Sequence, residues 1–314
     1  MIRSLRDLTD DEIQTYESDG VVALRGLLPL DWVDELRRAM QEVFDRETDV
    51  SRDALVTGMS SQGARGDMVE GMLRLLETTE TPDQLAIEAG HTPTGRSIVE
   101  TDACSWHPVL RQLYVTGPLP EIVAALTDST RVNLYSDQLF LKEAGSSVRT
   151  PWHQDKPFWL LQGTKVAVCW VPVDTVRLES GAMGYVRGSH RWGVTFKPSD
   201  FVTSNGASTI PGLEFDDLAD LPPIDANPDQ YDIVRLEAEP GDVIVHHWMT
   251  LHGSTGNVSA DRLRRAASVR FAGDDVTFFQ RPSSPDPFRY TVGLGDGDDL
   301  DGAERFPRVW GQQD

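Results

Sequence analysis

Asn133-Leu-Tyr-Ser-Asp-Gln-Leu-Phe-Leu-Lys142 is the stretch at which the hydrophobic period of this 314-residue chain changes from helical to alternating. Comparable strand-like runs follow at Lys165–Val173, Asp232–Glu237, Asp242–Trp248 and Arg265–Phe271. Turn signals separate them: Ala144-Gly-Ser-Ser147, Glu179-Ser-Gly181, Arg187-Gly-Ser189, Glu239-Pro-Gly-Asp242 and Gly253-Ser254. Many short strands with Gly and Pro turns, placed after helices, predict a mostly β chain with flanking α: a double-sheet, cupin-like jelly roll with N-terminal helices packed on one sheet.

Upstream of that change, Thr9-Asp-Asp-Glu12 is a capping box that opens a helix to about Ser18, and Gly20 ends it. Val21–Leu24 reads as a strand. Asp31 is expected to cap a second helix to about Arg46, in which Trp32, Val33, Leu36, Met40, Val43 and Phe44 recur at helical spacing as core positions. From Asp49 to about Gly95 the pattern weakens. Gly66–Glu80 could be helical, and residues 51–100, with Met59, Arg65 and Met68, are expected to supply a lid. Pro118–Leu126 reads as a helix with proline in its first turn. Downstream, residues 195–230 form a polar insertion, and after Gly273 the chain turns acidic and glycine-rich, with Phe306-Pro-Arg-Val-Trp310 docking on the body. The organisation expected is one domain, 1–314: helices and lid over 1–130, the β core over 131–275, a tail over 276–314.

A hydrophobic content of 39% supports a sizeable core. No apolar run approaches the roughly 20 residues that span a bilayer, and the first ten residues carry no signal-peptide apolar core, so the expected location is cytoplasmic. A net charge of −21 argues against nucleic acid or an anionic membrane as partner, and weighs mildly against a highly anionic substrate such as a coenzyme A thioester. Cys104 and Cys169, the two cysteines, are too few for a disulfide framework and read as small buried hydrophobes.

Between the first two strands lies Arg149-Thr-Pro-Trp-His-Gln-Asp-Lys-Pro-Phe-Trp159. In an extended strand, His153 and Asp155 would leave the same face and could share one small cation. A distant second histidine would complete two His and one carboxylate, the set that suits non-haem Fe(II) oxygenases because it leaves three positions open. A His-x-Asp alone is common in a chain this rich in Asp. His246, His247 and His252 are the candidates for the third donor. His252 precedes a Gly-Ser turn, from which its ring could enter a barrel mouth. His246, six residues away, would share its face in regular strand, and His247 would point outward. The expectation is His252 as ligand, with His246 lining the pocket. A carboxylate-bearing co-substrate also needs a guanidinium fork. Arg262, Arg264, Arg265 and Arg270 are offered on the next strand, and strand parity alone does not choose among them.

Taken together, His153-Gln-Asp155, the segment Glu179–His190 read as a hairpin, Pro240-Gly-Asp242, His252-Gly-Ser-Thr-Gly-Asn257 and Arg264-Arg-Ala266 resemble the phytanoyl-CoA dioxygenase family over about residues 10–275. These are Fe(II)- and 2-oxoglutarate-dependent oxygenases on a double-stranded β-helix. The resemblance implies His153, Asp155 and His252 as iron ligands, Arg264 as the residue that holds the distal carboxylate of 2-oxoglutarate, and Ser254 as its helper. Gln138 and Trp170 fall where relatives line the co-substrate pocket, and Lys142 occupies a recurring Lys position without an assigned role. It further implies that 2-oxoglutarate takes two open metal positions and O2 the last, with succinate and CO2 released as a substrate C–H is hydroxylated. The carboxylate of Asp155 favours hydroxylation over the halogenation of relatives that have a small residue there; desaturation and cyclisation stay open. Trp152, Phe158, Trp159, His246, Trp248 and Arg270 are candidates to contact a small or medium organic substrate. The expected assembly is a monomer or homodimer. An acyl-CoA hydroxylase, a cupin-type metal enzyme without 2-oxoglutarate and a non-catalytic barrel are the rival readings.

Overall fold

The computed structural model of the protein describes residues 2–46, 95–197, 217–284 and 292–311. The expected lid, with Met59, Arg65, Met68 and the possible helix Gly66–Glu80, and much of the 195–230 insertion lie outside these residues. In chain order the elements are α1 (Asp10–Asp19), β1 (Val21–Leu24), α2 (Leu30–Phe44), β2 (Ser97–Thr101), α3 (Pro108–Thr116), α4 (Leu119–Thr127), β3 (Val132–Lys142), β4 (Thr150–His153), β5 (Leu161–Gln162), β6 (Val166–Pro172), β7 (Met183–Val186), β8 (Ile233–Leu236), β9 (Val243–His247), β10 (His252–Ser254), β11 (Arg264–Ala272), β12 (Thr277–Phe278) and β13 (Arg308–Trp310).

Most strands form two facing sheets, as the alternating pattern predicts, and β5 and β12 pair in a separate two-stranded sheet. The larger is ordered β1-β9-β6-β11-β3-β13, with β2 also on β3, and the smaller β4-β10-β7-β8. Every named pairing is antiparallel. Alternation sorts the large sheet into two faces. Leu139, Leu141, Cys169, Val171, Val243, Val245, Ala267 and Val269 face the helices and join Trp32, Val33, Leu36 and Met40 of α2 in one buried cluster. At about 1.5–3 kcal/mol for each large apolar side chain buried, this stripe outweighs the few tenths per residue of intrinsic helix propensity. Trp170, Ile244 and Ala266, of the opposite parity, face the small sheet with Met183 and Tyr185.

The N-terminal capping box is present as read, with Thr9 accepting from the Glu12 amide. Several boundaries differ. Asp31 does not cap α2: Pro29 is the capping position and makes no side-chain bond, while Asp31 sits in the first turn, where its charge suits the helix dipole. Helix α4 begins one residue later than read, with Pro118 just before it. Helix α3 was missed, although Pro108 at its first turn and Leu110, Leu113 and Tyr114 at helical spacing signal it, whereas strand β2 carries no such signal. Helix α3 is capped by His107, an unusual capping residue, and β2 is a half-exposed outer strand with no clean alternation. Residues 179–190 hold one strand, β7, between two short 3-10 turns, so they are not a hairpin. The C-terminal aromatics do dock: Phe306 stacks on Tyr135 with ring centroids 5.1 Å apart, and β13 pairs with the start of β3. Both cysteines are buried and free.

The turn between β9 and β10 lies on Gly20. The Gly20 carbonyl accepts from the His247 amide at 2.9 Å and from Thr250 Oγ1 at 2.8 Å. Gly20 has φ of +73°, and a Cβ there would meet His190 Nδ1 at 2.2 Å and Thr250 Oγ1 at 2.5 Å. This tight approach sets where β10 starts. Gly20→Ala is therefore expected to cost more than the roughly 1–2 kcal/mol of left-handed strain alone, measured by chemical denaturation, and to weaken metal binding because His252 is carried by the displaced turn.

Candidate active site

Strand β10 lies between β4 and β7, and its register sets His252 opposite His153 on one side and Tyr185 on the other. The His153 and His252 rings are 4.1 Å apart between centroids. Asp155 arrives by a different route from the extended strand expected. Strand β4 ends at His153, and Asp155 adopts a helical backbone at the head of a 3-10 turn, its amide donating to the Trp248 carbonyl at 2.9 Å. That turn swings the carboxylate back to His153 Nε2, 3.8 Å away, and to His252 Nε2, 3.9 Å away. The ligand atoms of His153, Asp155 and His252 all lie within 4.8 Å of one another, and all three residues are buried.

Hydrogen bonding fixes the tautomers. His153 Nδ1 is 2.7 Å from the Pro151 carbonyl and His252 Nδ1 is 2.9 Å from the Thr250 carbonyl. A carbonyl only accepts, so each Nδ1 carries the proton and each Nε2 presents a lone pair to the centre. Burial, joined by the neighbouring His153 and His246 rings, holds His252 well below the usual imidazole range. Burial likewise lowers His153, against the pull of Asp155. Burial alone would raise the Asp155 carboxyl, but the His252, His246 and His153 rings together carry it below its ordinary value. Two neutral imidazoles and one carboxylate at close range are the donor set of a facial Fe(II) site.

His246 does not share a strand face with His252. Residues 248–251 carry the chain from the large sheet to the small one, so the two rings meet across the sandwich at 4.4 Å. His246 Nε2 is 3.3 Å from Asp155 Oδ2 and steadies the carboxylate, while its Nδ1 is buried without a partner.

Beside this centre is a pocket of buried cations. Arg264 and Lys142 are direct cross-strand partners, 1% and 3% exposed. Arg264 lies over the Trp170 ring at 4.9 Å, and its Nη2 is 3.3 Å from Met183 Sδ. Its Nε is buried with no partner among the described residues, and burial lowers its pKa to about 10. Lys142 donates to Ser254 Oγ at 2.9 Å and to the Thr255 carbonyl at 3.0 Å. Burial, then the charges of Arg264 and Arg149, pushes Lys142 well below its ordinary value. Two dry, adjacent cations with no carboxylate in ion-pair range among the described residues form a receptor for an anion. Trp170 lies against Arg264, and Ser254 accepts from Lys142, so these four side chains are brought together. Tyr185 was missed. Its ring stacks on His252 at 5.9 Å and its hydroxyl is buried without a partner, on the side from which Arg264 acts. The alternation of Met183 with Tyr185 was the available signal.

The remaining candidates separate. Gln138 is not at Arg264; its Oε1 accepts from Arg270 Nη2 at 2.7 Å. Phe158 meets the His153 ring edge-on at 6.0 Å. Trp248 stacks on Trp159 at 6.3 Å, beside the centre. Trp152 points away from His153, with its indole N–H on Asp225 at 2.9 Å. Arg265 pairs with Asp174, and Arg262 lies near Glu179, so both balance acids.

The family model for phytanoyl-CoA dioxygenase matches residues 16–266. A Dictyostelium discoideum protein named phytanoyl-CoA dioxygenase domain-containing protein 1 homolog is 22% identical over 297 residues, covering 90% of this chain and 99% of that one. Among solved structures, the non-heme alpha ketoglutarate dependent carbocyclase SnoK from nogalamycin biosynthesis superposes with a TM-score of 0.63 at 20% identity, covering 98% of this chain and 99% of that one. The epimerase SnoN, in complex with Fe3+, alpha ketoglutarate (2-oxoglutarate) and nogalamycin RO, superposes with a TM-score of 0.62 at 20% identity over 96% and 98%. These superpositions establish the jelly-roll fold. Among the described residues no helix is long and apolar enough to cross a membrane.

His153, Asp155 and His252 are expected to bind one Fe(II) per chain. Asp155→Ala removes the charged donor and should weaken Fe(II) binding by at least an order of magnitude in calorimetric titration while the fold melts cooperatively; unchanged affinity would place the metal elsewhere.

Proposed function

The chain belongs to the phytanoyl-CoA dioxygenase family, and on that premise we propose that it is an Fe(II)- and 2-oxoglutarate-dependent oxygenase that hydroxylates a C–H bond of a small or medium organic molecule. The observation that carries this reading is the pairing of two buried sites between the sheets: the His153, Asp155 and His252 donors, and near them Arg264 and Lys142 with no acid in ion-pair range among the described residues. A cupin-type enzyme without 2-oxoglutarate would have no use for two buried cations held unpaired.

In this reading His153, Asp155 and His252 hold the iron through two Nε2 lone pairs and a carboxylate oxygen. Arg264 forks the distal carboxylate of 2-oxoglutarate, with the Lys142 ammonium and Ser254 hydroxyl alongside and the Tyr185 hydroxyl free to donate. Iron, when bound, would activate O2, which is the oxidant; 2-oxoglutarate would supply two of the four electrons O2 takes up and leave as succinate and CO2, and the substrate C–H would supply the other two. His246 keeps one Asp155 oxygen occupied, which orients the other. Phe158, Trp159 and Trp248 exclude water and leave the substrate as the reductant nearest the centre. Which C–H is presented there decides whether the product carries a hydroxyl, a double bond or a ring.

The testing experiment is anaerobic titration of metal-free protein with Fe(II) and then 2-oxoglutarate, watching for the weak visible charge-transfer band of the chelate. Its appearance supports iron and co-substrate together. Iron binding without the band would remove 2-oxoglutarate from the proposal. Arg264→Lys should raise the KM for 2-oxoglutarate by about 10-fold or more, and far more than that for the prime substrate, because a point charge replaces a two-pronged fork.

A further inference from the structure

A second arginine on β11 faces the same cavity from the other side of the metal site. Arg264, Ala266, Ser268 and Arg270 share one parity, and that face looks toward the small sheet. The pairings Arg270↔Val168 and Val168↔His246 place Arg270 in the same cross-strand row as His246, the ring that braces Asp155. Arg264 lies six residues further down the strand. The two guanidiniums therefore flank the metal donors along β11, one at the co-substrate end and one at the opposite end.

Arg270 is 8% exposed and held rigidly. Its Nη1 donates to Ser136 Oγ at 3.1 Å, its Nη2 to Gln138 Oε1 at 2.7 Å, and its guanidinium carbon lies 4.9 Å from the centre of the Trp159 ring. Both acceptors are neutral, and its Nε is buried with no partner. Asp137, between Ser136 and Gln138 on β3, has the opposite parity; its carboxylate accepts from the Cys104 amide at 3.0 Å and lies 3.3 Å from the Tyr114 hydroxyl. The Arg270 charge helps stabilise the Asp137 carboxylate against burial, but among the described residues no acid forms an ion pair or hydrogen bond with Arg270. Lys156, half-buried, stands 5.7 Å over the Trp248 ring, which stacks on Trp159. This end of the cavity is thus cationic and aromatic, inside a chain whose net charge is −21.

A buried guanidinium that keeps only two neutral acceptors is a site lacking its counter-ion. The geometry points to Arg270 as the anchor for a carboxylate on the prime substrate, with Trp159, Trp248 and Phe158 packing its apolar body beside the metal. This rests on the oxygenase reading and names its substrate class: a small carboxylic acid with an apolar skeleton. One arginine serves each of two carboxylates, and the metal stands between them.

The test uses Fe(II)-loaded protein under anaerobic conditions with saturating 2-oxoglutarate, so that Arg264 is already engaged. Cyclohexanecarboxylate and phenylacetate are titrated by calorimetry, each against its primary amide. Wild type is expected to bind the acids about 30-fold or more tighter than the amides, the scale of a buried charge pair broken at one partner. Arg270→Gln should lose that preference and Arg270→Lys should keep part of it, since a point charge replaces the fork. Absence of preference in wild type, including no binding of either member, overturns the inference. So does retained preference in Arg270→Gln, or displacement of the acids by excess 2-oxoglutarate, which would place them at Arg264. The charge-transfer band, recorded on the same samples, reports the oxygenase reading separately, because it depends on Arg264 and the metal donors.

Discussion

A carboxylate buried among three imidazoles organises the interior of this sandwich. Removing Asp155 from water is expensive unless its charge is answered at close range. His246 Nε2 lies 3.3 Å from its Oδ2, while His153 and His252 aim Nε2 lone pairs at the same centre, so carboxylate and lone pairs together call for a cation between them. Each ring is in turn set by a constraint of the fold. His153 ends β4, His252 begins β10 directly opposite it, and His246 reaches over from the large sheet. The arrangement is satisfied in part without metal, and a divalent cation would complete it by replacing weak contacts with coordination.

Two further polar groups inside the sandwich obey the same rule and break it in the same way. Arg264 and Arg270 are buried on one face of one strand, stacked on Trp170 and Trp159 respectively, each with an Nε that bonds nothing among the described residues. An interior built for stability alone would pair them with acids, as the same strand does for Arg265 with Asp174 on the helix-covered face. The contrast between Arg265 and its neighbours lies within nine residues: alternation sends one parity to the helix-covered face, where Arg265 meets Asp174, and the other toward the small sheet, where Arg264 and Arg270 have no ion pair among the described residues.

Conservation of shape at low identity fits this division. SnoK and SnoN share the fold at 20% identity, and their names attach different outcomes, carbocyclisation and epimerisation, to it. The large sheet and its helix layer form a scaffold whose packing tolerates many sequences. Chemistry enters through a few inward positions on β3, β7, β10 and β11 and through the turn after β4.

The amino-acid sequence by itself determined what depends on local pattern. Alternation over Asn133–Lys142 and the runs after it marked the β core, the Thr9–Glu12 box and Gly20 bounded the first helix, and the ordered motifs around His153, Asp155, His252 and Arg264 were legible because their order along the chain, more than any single residue, is specific. Tertiary structure alone decided what depends on which strands meet. It sent His246 to the sheet opposite His252, because residues 248–251 cross between layers and a strand-parity argument cannot see a crossing. It placed Asp155 by a turn instead of an extended strand, paired Lys142 with Arg264 from positions far apart in the chain, moved Gln138 to Arg270, and turned Trp152 outward to Asp225. Local preference is written in spacing over a few residues. The partners of a buried charge come from elements distant in sequence, and only the register of the folded sheets specifies them.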